Sequence, residues 1–157
     1  MPAVSVLHDI FIATDEEVAG MNVDTGIYPP LASPSREPIF PTVDAKGTGD
    51  IPLATLELLL GGDGIDDAGR VIDLLSDPIA TDDLEEGPWL FRLNQRLVDR
   101  LADADGAQIA AIAGPWAATD EMYGWTDAQA LALLGELAEL CRRGRAESKG
   151  LFRWTSL

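Results

Sequence analysis

The sequence predicts an α+β fold, a single domain spanning residues 1–157, mostly helical, with a small sheet from N-terminal, central and C-terminal strands. Three observations carry this. Short apolar runs rich in β-branched and aromatic residues occur at 5–13 ("SVLHDIFIA"), 88–93 ("PWLFRL") and 151–157 ("LFRWTSL"), the pattern of buried strands. Between them lie segments with helical spacing of leucine and alanine, several opened by capping boxes. At 157 residues and 46% hydrophobic composition, the chain has enough apolar surface for one core, and two would each be short of it.

The elements follow in chain order. After the first strand, Thr14-Asp15-Glu16-Glu17 forms a capping box with acids in the first turn, where the helix dipole favours them. Residues 20–50 hold five prolines and four glycines, which excludes long regular structure and leaves an irregular loop. Within it, Pro38 to Val43 suits a short strand at a sheet edge. Pro52 suits the first turn of a helix carrying Leu53, Leu56, Leu59 and Leu60, with Gly61 placed as its left-handed terminator. Asp66 or Asp67 caps a further helix carrying Val71, Ile72, Leu74 and Leu75, which Pro78 stops.

In the second half, Asn94 is placed as a helix cap, and Arg92, Arg96 and Arg100 share a face if that helix begins early enough. Asp105-Gly106-Ala107-Gln108 opens an alanine-rich helix, which Gly114-Pro115-Trp116 is expected to interrupt. Thr126-Asp127-Ala128-Gln129 opens the longest helix, with Ala130, Leu133, Leu134, Leu137, Leu140 and Cys141 on one stripe. Gly144 falls next on that stripe and is expected to fray its last turns. The C-terminal strand joins the sheet, because left loose it would expose Phe152 and Trp154 to water.

Net charge is −16, unevenly spread. Residues 1–88 hold 18 of the 27 acids against Arg36, Lys46 and Arg70, while residues 89–157 are nearly balanced. Such a field repels nucleic acid phosphate and anionic lipid and attracts basic proteins. No apolar run reaches the roughly 18 residues of a membrane span. A lone cysteine, Cys141, excludes an intramolecular disulfide, and together with an N-terminus lacking a basic cluster it points to the cytoplasm.

Chemistry-bearing patterns are sparse. "GGDGIDDAG" at 61–69 matches one copy of a calcium-binding repeat, but such repeats share each ion between successive turns and one copy builds no coordination shell. It reads as a turn. Asp103-Ala104-Asp105-Gly106 fails as a calcium loop, since Leu101 and Ile112 fall where the first and last ligands belong. His8 is the only histidine, and its neighbour Asp9 points to the opposite strand face. Cys141 sits on an apolar helical stripe, the setting of a core residue. No metal, cofactor or catalytic residue is assigned, and an enzyme is the less favoured reading.

The acids least explained by capping are Asp82, Asp83, Glu85 and Glu86, expected on an exposed loop as contacts for a basic protein partner. The function expected is an acidic cytoplasmic protein-binding module, most concretely an immunity or antitoxin-like inhibitor. The alternative is a small enzyme or ligand-binding protein whose pocket is framed by the 20–50 loop.

Overall fold

The fold is α+β, with six helices and a five-stranded antiparallel sheet among the described residues. The computed structural model describes residues 7–20, 40–45, 47–63, 68–81 and 83–156. The chain divides into two compact units, each built from separate stretches: Met1–Gly47, Asp77–Leu93 and Arg143–Leu157 in one, Thr48–Ser76 and Asn94–Arg142 in the other.

The first unit holds the sheet. Its strands are β1 (Leu7–Ala13), β2 (Thr42–Asp44), β3 (Ala80–Thr81), β4 (Trp89–Arg92) and β5 (Gly150–Ser156), ordered β2-β1-β5-β4-β3. The C-terminal run therefore becomes the central strand, paired with β1 from Leu7↔Ser156 to Ala13↔Gly150 and with β4 from Trp89↔Thr155 to Arg92↔Phe152. One face gathers Phe11, Ala13, Leu90, Phe152 and Trp154, with Val18, Phe40 and Ala80 packed against them. Phe11 stacks on both Phe40 and Phe152, at 5.3 and 5.8 Å between ring centroids. The other face of β5 carries Leu151, Arg153 and Thr155, which are buried too. Arg153 lies 4.2 Å over the Phe91 ring, an aromatic surface that a guanidinium tolerates better than an ammonium.

The short helix α1 (Asp15–Ala19) opens on the expected capping box, Thr14 and Glu17 each accepting from the other's backbone N–H. Its acids pair across the unit, Asp15 with Arg92 at 2.7 Å and Glu17 with Lys149 at 4.0 Å. Arg92 is thus a strand residue lying over Phe152, not part of an arginine face on the following helix.

The second unit contains α2 (Asp50–Leu60), α3 (Ala68–Asp73), α4 (Gln95–Asp103), α5 (Gly106–Ala117) and, up to Arg142, α6 (Asp127–Ala146). Seven consecutive residues of α2, Pro52 to Leu58, are buried. Leu97, Leu101, Trp116, Leu134 and Leu137 of this unit are buried as well. Trp116 Nε1 donates to the Pro52 carbonyl at 2.9 Å, so its one polar atom is satisfied within the core.

Three local expectations are corrected. The helix α5 runs through Pro115 to Ala117: the proline removes one backbone donor, and the burial of Trp116, with its indole bonded to the Pro52 carbonyl, holds the turn. Gly61 ends α2 with right-handed backbone at φ −84°, and Gly62 at φ +72° is the left-handed residue. The pattern is a Schellman close, Asp63 N–H donating to Leu58 O and Gly62 N–H to Leu59 O. At Gly61 a Cβ would lie 2.4 Å from Arg100 Nη1, so a larger residue there must displace that guanidinium. Gly144 does not fray α6, which continues to Ala146. Its missing side chain makes room for Leu151 and Ile12.

Candidate interaction surface

The loop joining β3 and β4 carries the predicted acids. Asp82 lies outside the described residues, while Asp83, Glu85 and Glu86 are exposed. Asp83 does more than add charge. Its Oδ1 accepts from the Glu85 and Glu86 backbone N–H groups at 2.8 and 3.0 Å, an Asx-type turn. These two amides, that of Glu86 first, hold its carboxyl below the usual carboxylate range. The Gly87 N–H donates to the Asp83 carbonyl at 2.8 Å. The Thr81 hydroxyl lies 2.8 Å from both the Asp83 and Pro88 carbonyl oxygens. Trp89 Nε1 donates to the Leu84 carbonyl at 3.1 Å.

A fixed turn results, with Gly87 at φ +75° under the Trp89 ring, where a Cβ would come within 2.6 Å. Leu84 stands at its tip, 74% exposed. Sequence reasoning placed the acids on an exposed loop but missed that Asp83 builds the turn. The signal was present in the Asp-x-Glu-Glu-Gly order, which suits a side chain accepting from amides two and three residues on.

The other candidates occupy structural positions. His8 Nδ1 lies 3.1 Å from Thr155 Oγ1. Burial, and secondarily the charge of Arg153, lowers its pKa to about 4, so the ring is neutral at physiological pH. Asp9 faces the other side of the sheet, opposite Asp44 on β2 and Trp154 on β5. Burial and then the Asp44 charge raise its carboxyl above the ordinary range. Cys141 is buried.

Within the described part of "GGDGIDDAG", the Asp63 carboxylate faces Arg100 and Arg70 at 3.9 and 4.0 Å, so it is balanced by guanidinium groups. Residues 64–67 of that motif lie outside the described residues. Asn94 precedes α4 without capping it. Its amide donates instead to the Leu74 carbonyl at 2.8 Å and to buried Glu57 at 3.2 Å. Arg100 Nη1 donates to the Glu57 carbonyl at 2.7 Å, closing the end of α2. Most of the 20–50 loop lies outside the described residues, as does the pocket it was expected to frame.

Among the described residues no group of three or more His, Cys, Asp or Glu side chains converges as a metal site, and no helix is long and apolar enough to cross a membrane. No protein-family model, curated protein or solved structure matches the chain.

Proposed function

We propose that this chain is an acidic protein-binding module acting in the cytoplasm, most concretely an immunity or antitoxin-like inhibitor that covers a basic site on its partner. The observation that carries the reading is the β3–β4 turn, where Glu85 and Glu86 are exposed beside an outward-standing Leu84 on backbone fixed by Asp83, Thr81 and Trp89. A preformed turn loses little conformational freedom on binding, so more of each contact's free energy appears as affinity. Acids around an apolar side chain suit a partner pocket rimmed by Arg and Lys, with charge governing encounter rate.

The test begins with purification of the tagged chain from its native host at low salt and identification of what co-purifies. Association with that protein is then followed while ionic strength rises. A rate that falls steeply as the Debye length shrinks from about 30 Å at 0.01 M to 10 Å at 0.1 M supports steering by charge. A rate indifferent to salt removes the electrostatic basis of the proposal.

A further inference from the structure

We draw no further inference here: the strongest candidate, the pair of exposed apolar side chains Ile79 and Leu84 on either side of β3, belongs to the interaction surface already described, and nothing in the structure shows what covers it.

Discussion

The central strand β5 and the turn between β3 and β4 are fixed by opposite means. The strand is held from both faces: Phe152 and Trp154 fill one apolar layer, and Leu151, Arg153 and Thr155 are buried on the other. The turn has almost no core. A carboxylate, a hydroxyl and an indole N–H pin its backbone while Leu84 and the acids remain in water. Order in a protein therefore has two sources, burial and local polar closure, and only the second leaves a surface free to meet a partner. The difference also sets where substitutions act, on global stability for β5 and on local geometry or binding for the turn.

The sharpest way to break this contrast is to remove β5. Truncation after Gly150 deletes the strand that joins β1 to β4 and should abolish cooperative unfolding. Trp154→Ala is the milder form, and loss of a buried aromatic of this kind costs about 3–5 kcal/mol. Chemical denaturation of the two variants checks this. An unchanged midpoint in either would show that burial at β5 is not what holds the sheet.

Gly144→Ala is next in size. The added methyl would lie 3.1 Å from both Leu151 Cδ1 and the Lys149 carbonyl oxygen and 3.2 Å from Ile12 Cγ2. A side chain can turn aside, but the carbonyl is fixed, because the Lys149 N–H donates back to Gly144 O at 2.8 Å. Overpacking of about 1–3 kcal/mol outweighs the gain of up to about 1 kcal/mol from replacing glycine in a helix. A fall in denaturation midpoint is expected, whereas a rise would mean that propensity governs this turn.

Gly144 also shows what was legible in the sequence. The capping boxes at Thr14, Asp105 and Thr126 rest on neighbours in the chain, and all three form with reciprocal hydrogen bonds. The three apolar runs became β1, β4 and β5. The left-handed residue ending α2 was misplaced by one position, Gly62 and not Gly61, and other failures depended on partners distant in sequence. Gly144 reads as a helix breaker until Ile12 and Leu151 are seen against it, and Asn94 reads as a cap until Leu74 and Glu57 claim its amide. The strand β3 is two residues long and has no periodicity to detect. The Asp9 and Asp44 pairing exists only through strand register, which no local pattern announces.

Acid separates the two faces of β1. His8 is held neutral by burial and by Arg153, with its pKa lowered to about 4 from 6.5. The unfolded chain therefore binds more protons across that interval, and this contribution, complete above pH 6.5, is lost as pH falls toward 4. Asp9 has the opposite sign. Its raised pKa means the folded chain holds the proton more tightly, so stability from this group declines as pH rises above the ordinary carboxylate value. Urea midpoints measured from pH 7 to 4 should fall less steeply in His8→Gln than in the wild type, and more steeply in Asp9→Asn. A His8→Gln profile parallel to the wild type would show that the ring is not desolvated as the geometry requires.

The smallest expected effect on stability belongs to the turn and divides its acids by role. Glu85 and Glu86 are exposed and their carboxylates are not used in closing the turn, so reversing both to lysine should change global stability by no more than about 0.5 kcal/mol. Asp83 is different. Replacing it with lysine or alanine leaves the Glu85 and Glu86 amides without their acceptor, and hydrogen exchange at those two positions should accelerate while the midpoint of global unfolding barely moves. A four-residue reversal that included Asp83 would confound charge with geometry, whereas the pair Glu85→Lys and Glu86→Lys isolates charge. If the turn meets a basic partner, that double variant lowers the association rate at low salt, and Asp83→Asn, which keeps an oxygen acceptor, lowers it less. Equal rates for wild type and double variant would assign the acids to solubility and leave Leu84 without a binding role.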